Sequence, residues 1–137
     1  MNPLKITKLD HVVLRVADLD KSIHFYRDVL GFPEARINKK SGLHQYQAGG
    51  SMVDIVPMDS EMGQRDGYGP PEAGRNVDHF AFTVSEFDEE VLVAWLRSHG
   101  VEPVRSGRRF GAEGYGPSIY MKDPDGNTVE IKGPLEK

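Results

Sequence analysis

Apolar and polar residues alternate along two short stretches of the chain, HVVLRV at 11–16 and HFAFTV at 79–84. A period of two is the mark of a half-buried strand. In the first stretch Val12, Leu14 and Val16 share one face, and His11, Val13 and Arg15 share the other. In the second, Phe80, Phe82 and Val84 oppose His79, Ala81 and Thr83. Each stretch runs on into a helical pattern. Ile23, Phe25, Tyr26, Val29 and Leu30 give a helix near 19–30, and Val91, Leu92, Trp95 and Leu96 give one near 87–99. Both helices open on acidic residues and are followed by a glycine, Gly31 and Gly100, as helix termini prefer. The apolar strand faces are expected to pack under these helices, which leaves both histidines on the opposite side.

The two halves repeat one another. DHVVLRV at 10–16 returns as DHFAFTV at 78–84, and VDIVP at 53–57 returns as VEIKGP at 129–134. Each half reads strand, helix, then three strands. The strands are expected near 5–16, 33–39, 43–49 and 51–57, then near 76–85, 102–106, 116–122 and 127–132. DPDGN at 123–127 is a hairpin turn, with Pro124 fixing φ and Gly126 free to take positive φ, and Gly49-Gly50 plays that part in the first half. The expected fold class is α+β: two βαβββ modules, about 5–57 and 76–134, in a single domain spanning 1–137. Their strands are expected to form a mixed sheet with the helices on its outer face. The Gly/Pro-rich stretch 58–75 links the modules and is a candidate flap, and 107–116 reads as a second loop lining the pocket.

The closing strands follow the same alternation. Val53 and Ile55 flank Asp54, and Val129 and Ile131 flank Glu130. If the β-branched residues face the helices, His11, Asp54, His79 and Glu130 all look to the histidine side. Composition sharpens this picture. The 137 residues contain no cysteine, so thiolate metal sites are excluded and a metal must use imidazole and carboxylate. Such donors suit one divalent transition metal, Ni, Zn, Fe, Mn or Co, and leave positions open for a substrate's oxygens. The net charge of −4 with no basic run argues against nucleic acid. No apolar run approaches the ~20 residues of a membrane span, and no signal-peptide core is present, so a cytoplasmic setting is expected.

The residues quoted so far, above all LDHVVLRVADLDKSIHFYRDVLGF at 9–32 and DPDGNTVEI at 123–131, resemble the vicinal-oxygen-chelate superfamily. That superfamily includes glyoxalase I, bleomycin-resistance proteins, fosfomycin-resistance transferases and extradiol dioxygenases. The resemblance covers nearly the whole chain. It implies paired modules forming a U-shaped, cupped sheet around a metal, with His11, His79 and Glu130 at three ligand positions. It also implies a homodimer and a small-molecule substrate. Asp54 stands where glyoxalase I has a glutamate one methylene longer, so it is open whether Asp54 is a ligand, a partner of a ligand or a bystander. Arg15 matches an arginine that contacts the glutathione carboxylate in glyoxalase I.

The leading expectation is a glyoxalase I-like lyase or isomerase. Glu130 or Asp54 would move a proton, while Arg15, Tyr120 and Arg109 would hold the substrate. An Fe(II) extradiol-type dioxygenase is the first alternative. A non-catalytic drug- or metabolite-binding module of the bleomycin-resistance type is the second. Each candidate has a bland counterpart: Tyr120 as strand packing, Arg109 as a solvated loop residue, Arg15 as a salt bridge, and His44 facing either cup or solvent.

Overall fold

The computed structural model describes residues 5, 8–64 and 77–136. The chain divides into two compact units, Met1–Gly69 and Pro70–Lys137. The first carries β1 (His11–Val16), α1 (Leu19–Ile23), β2 (Glu34–Asn38), β3 (Leu43–Ala48) and β4 (Ser51–Pro57), then a 3₁₀ turn at Met62–Gln64. The second carries β5 (Phe80–Thr83), α2 (Glu89–Ser98), β6 (Arg105–Gly111), β7 (Gly114–Lys122) and β8 (Thr128–Lys132). The sheets have equivalent orders, β1-β4-β3-β2 and β5-β8-β7-β6. In each, the first and last strands run parallel and the other neighbours antiparallel. The repeat in the sequence is thus a repeat in topology, two βαβββ modules.

Local chemistry explains the boundaries. Asp18 and Asp88 cap their helices, accepting from the amides of Lys21 at 3.1 Å and Val91 at 3.3 Å. The β7–β8 turn is held by Asp123, whose carboxylate accepts from the amides of Asp125 and Asn127 and from the Asn127 side chain. Gly126 takes φ 83 there, a region open to glycine at little cost.

Three expectations are corrected. The first helix is α-helical only to Ile23 and continues as a π-helical turn, His24–Val29, with the Leu30 amide reaching the Phe25 carbonyl at 2.9 Å. The buried aromatic side chains of Phe25 and Tyr26 meet edge to face on this wider turn, which period counting cannot tell from an α-helix. In α2 only Leu96 is fully buried; Val91 and Trp95 are exposed, and Trp95 lies against His99 instead. The stretch expected to be a strand at 102–106 and a loop at 107–116 is a long hairpin. β6 runs to Gly111 and pairs in register with β7 from Arg105–Tyr120 down to Gly111–Gly114. Its glycines read as loop signals but serve close packing, as described below. Of the expected flap, 65–75 lies outside the described residues.

The core of the first unit is Val16, Phe25, Tyr26, Val29, Tyr46, Val53, Ile55 and Val56; that of the second is Leu96, Ile119, Met121, Val129 and Ile131. His44 and Tyr46 lie on the same face of β3, with His44 Nδ1 and the Tyr46 hydroxyl enclosed and unpartnered among the described residues. His44 therefore looks neither to the cup face nor to solvent.

Candidate active site

In the first unit the register places Val13 beside Asp54 and Asp54 beside Gln45. Residues in register share a face, so Asp54 lies on the face of His11, Val13 and Arg15. Asp54 is 1% exposed. Its Oδ2 accepts from Gln45 Nε2 at 3.1 Å, and among the described residues its Oδ1 has no hydrogen-bond partner. A buried carboxylate oxygen without a partner is costly unless a cation or donor completes it. His11 is half exposed, and its Nδ1 lies 2.8 Å from Asp10 Oδ2. That hydrogen bond raises the imidazole above its ordinary 6.5, with the Asp54 charge adding to the shift and desolvation opposing it. Arg15 donates from Nε to the Gly63 carbonyl at 3.0 Å, tying the 3₁₀ turn to β1.

The second unit has a denser cluster. His79 stands at the head of β5 with Nδ1 2.7 Å from Asp78 Oδ2 and Nε2 3.2 Å from Glu130 Oε1. Glu130, 5% exposed, is fixed from its other oxygen, which accepts from Ser118 Oγ at 2.7 Å. Tyr120, directly across from Glu130 in the β7–β8 ladder, is buried beside that carboxylate. Burial and that carboxylate push the phenol up, while the cation of Arg109 opposes them. Arg109 Nε donates to the Tyr120 hydroxyl at 3.1 Å, and the guanidinium of Arg105 lies 4.3 Å above the Tyr120 ring. The structure thus brings His79, Glu130, Tyr120 and Arg109 into one cluster in this unit, and sets His11, Asp54 and Arg15 on one face of the other.

The residues fit a divalent cation. In each unit an aspartate just before the histidine holds Nδ1 and leaves Nε2 as the nitrogen available to a metal, the arrangement that orients metal-bound imidazole in proteins. His79 Nε2 and Glu130 Oε1 converge. The unpartnered Asp54 Oδ1 is a further oxygen donor. Among the described residues no three His, Asp or Glu side chains gather as a ready-made metal group. Sequence reading missed the parts played by Asp10, Asp78, Ser118 and Gln45. The signal for the aspartates lies in the sequence, where both repeats begin Asp-His. Ser118 and Gln45 become visible only through ladder register.

Tandem βαβββ modules with an oriented imidazole at the start of each first strand and a buried carboxylate on each last strand define a class of small-molecule binding proteins and enzymes. The chain belongs to the glyoxalase/bleomycin resistance protein/dioxygenase superfamily, whose sequence pattern matches residues 8–131. A virulence protein of Salmonella typhimurium is 30% identical over 126 residues, covering 92% of this chain and 83% of its own. Its crystal structure superposes with a TM-score of 0.75 at 28% identity, covering 96% of this chain and all of that one. The glutathione transferase FosA of Serratia marcescens is 32% identical over 127 residues, 92% of this chain and 80% of its own. The lactoylglutathione lyase GLX1 of Arabidopsis thaliana is 31% identical over 131 residues, covering 90% of this chain but 44% of the plant protein.

Proposed function

We propose that this chain is a metal-dependent enzyme acting on a small electrophile presented through two adjacent oxygens, with His11, His79 and Glu130 as metal ligands and Asp54 as the fourth candidate. The observation that carries this reading is the fixing of His79 and Glu130: Asp78 holds the imidazole from behind, Ser118 holds the carboxylate, and the two free donors converge at 3.2 Å. A bound divalent ion would supply Lewis acidity.

What surrounds Glu130 bears on the type of reaction. Its Oε2 is held by Ser118 and its Oε1 faces His79 Nε2, and its neighbours Ser118, Tyr120 and Arg109 are donors rather than bases. Glu130 is then a fixed ligand, and Tyr120 with Arg109 stabilises negative charge on a substrate oxygen. This favours addition of a nucleophile to an activated electrophile, the type of chemistry named for the Serratia relative, a thiol transferase. The glyoxalase-type reading keeps one observation in its favour, the Oδ1 of buried Asp54, unpartnered among the described residues, which in that reaction would take a proton from carbon. Arg15, tied to Gly63, is a weaker candidate for holding the substrate than Arg109.

The test is turnover by metal-loaded protein, with nickel, zinc, cobalt and manganese offered in turn. Glutathione is supplied with fosfomycin in one arm and with methylglyoxal in the other. Adduct formation from the epoxide, lost in Glu130→Ala, supports transfer. Lactoylglutathione formation lost in Asp54→Asn supports isomerisation. Oxygen uptake with catechols by iron-loaded protein would replace both with ring cleavage. Metal-free ligand binding without turnover in any arm would leave the binding-module reading. A cytoplasmic homodimer completes the proposal, and light scattering in solution checks the dimer.

A further inference from the structure

The β6–β7 hairpin is longer than its counterpart β2–β3 in the first unit. β8 pairs with β7 only as far as Lys132 opposite Ser118, whereas β6 and β7 stay paired out to Gly111 and Gly114. Residues 108–111 and 114–117 therefore run past the end of β8 as a two-stranded ribbon. Such a ribbon is marginal in water without a third strand or a packed face. Arg109, which donates to the Tyr120 hydroxyl, lies in this ribbon opposite Gly116.

Residues 133–136 supply the third strand. The Gly133 amide donates to the Pro117 carbonyl at 2.7 Å, and the Glu136 amide to the Tyr115 carbonyl at 2.8 Å. The segment also grips the ribbon from both faces. On one, a Cβ at Gly114 would come within 2.5 Å of Leu135 Cδ1, and a Cβ at Gly116 would lie 2.7 Å from the Pro134 carbonyl oxygen. Glycine at those two positions lets the segment seat directly on the hairpin. On the other face, the Glu136 carboxylate accepts from Arg108 Nε at 2.8 Å, and that guanidinium lies 3.9 Å above the Tyr115 ring. The ion pair is exposed and adds little alone, so the backbone bonds and the seat on the glycines carry most of the hold.

Arg109 takes the consequence. It follows Arg108 on β6 and points to the opposite face. Its Nη1 donates to the Arg108 carbonyl at 3.0 Å and its Nε to the Tyr120 hydroxyl at 3.1 Å. A Cβ at Gly107 would lie 2.5 Å from Nη1, so the guanidinium is folded back over that glycine. Its aim at Tyr120 is therefore set by the shape of the ribbon backbone, which residues 133–136 hold.

We propose that residues 133–136 are a clasp on the β6–β7 hairpin, with Leu135 and Glu136 as positioning residues that keep Arg109 aimed at Tyr120; the effect on turnover rests on the proposed function.

The test compares the full chain as wild type, as the double variant Leu135→Ala/Glu136→Gln, and as the conservative variant Leu135→Met. Metal content is measured in all three. Hydrogen exchange is followed by NMR at the backbone amides and at the Arg109 Nε–H. In the double variant, exchange at the 108–117 ribbon and at the Arg109 Nε–H should be roughly tenfold faster, about the factor for one net hydrogen bond. Exchange in α2 and metal content should stay as in wild type. In the epoxide arm kcat should fall roughly tenfold with the KM for glutathione unchanged, because the charge-stabilising pair is misaligned. Leu135→Met should match wild type throughout. Unchanged exchange at the ribbon and at Arg109 overturns the clasp. So does exchange that quickens equally in α2, which would make the segment a general structural support. Faster exchange at Arg109 with turnover unchanged overturns the positioning role. Wild type that turns over neither electrophile refutes the proposed function alone, and exchange at the Arg109 Nε–H then still decides the clasp.

Discussion

Ser118→Ala removes one oxygen atom and tests whether Glu130 is held as a charged group. Ser118 is 1% exposed, and its hydroxyl donates to Glu130 Oε2 at 2.7 Å in a buried setting. A hydrogen bond to a charged acceptor contributes about 1.5–3 kcal/mol, and the carboxylate left behind is short of a partner inside the protein. The metal-free variant should therefore lose about 1.5–3 kcal/mol in urea unfolding, or roughly 4–10 °C in melting temperature for a chain of this size. The same substitution made in Glu130→Gln should cost only about 0.5–1.5 kcal/mol, because the bond is then between neutral groups. The double-mutant cycle should accordingly return a coupling of about 1 kcal/mol or more. Metal affinity in Ser118→Ala should fall by about 10- to 100-fold, the usual effect of losing a ligand's supporting partner. A stability change under ~0.5 kcal/mol together with zero coupling would refute the reasoning. Glu130 would then not be an ionised, oriented carboxylate, and its value as a ligand would fall with it.

Asp78→Ala should weaken metal binding about 10- to 100-fold with no measurable change in melting temperature, because its side chain is 90% exposed and acts only by orienting His79; competition with a chromogenic chelator reads it. His11 has an imidazole raised above 6.5 by Asp10, so protons compete with metal from a higher pH than an ordinary histidine would allow. The pH at which metal affinity begins to fall on acidification should drop in Asp10→Asn. In metal-free protein the same shift gives stability that is complete below 6.5 and fades as pH rises through the folded value. Tyr46 and Tyr120 are both pushed above 10.0, chiefly by burial, so both should ionise late in an absorbance titration, and one late component should vanish in Tyr120→Phe. Both phenols stabilise the fold below 10.0, and that contribution is lost as pH rises through their folded values.

The parts of this structure that could be read in the sequence are those written in short-range pattern. His11–Val16 and its repeat at 79–84 alternate cleanly, because one face of each strand is buried and the other is not, and the matched order of elements then gave both modules. Asp54 and Glu130 could be assigned to the histidine face for the same reason. The 105–122 hairpin was not legible. GRRFGAEGYGPS reads as loop because its four glycines carry no β signal, yet a Cβ at Gly111 would press on the Lys132 side chain and one at Gly116 on the Gly133 and Pro134 carbonyls. The π-helical turn at His24–Val29 keeps the apolar spacing of an α-helix and leaves no separate mark. Ser118 looked like an ordinary strand residue until register set it beside Glu130. Sequence distance does not carry such cross-strand neighbours, which decide what an ionised side chain costs.

The central claim is a metal held by His11, His79 and Glu130, and elemental analysis of gently purified wild type beside His79→Ala tests it most directly. About one divalent transition metal per chain in wild type, absent from the variant, is the expected result. Wild type that stays free of metal after nickel, zinc, iron, manganese and cobalt have each been offered at neutral pH would contradict it.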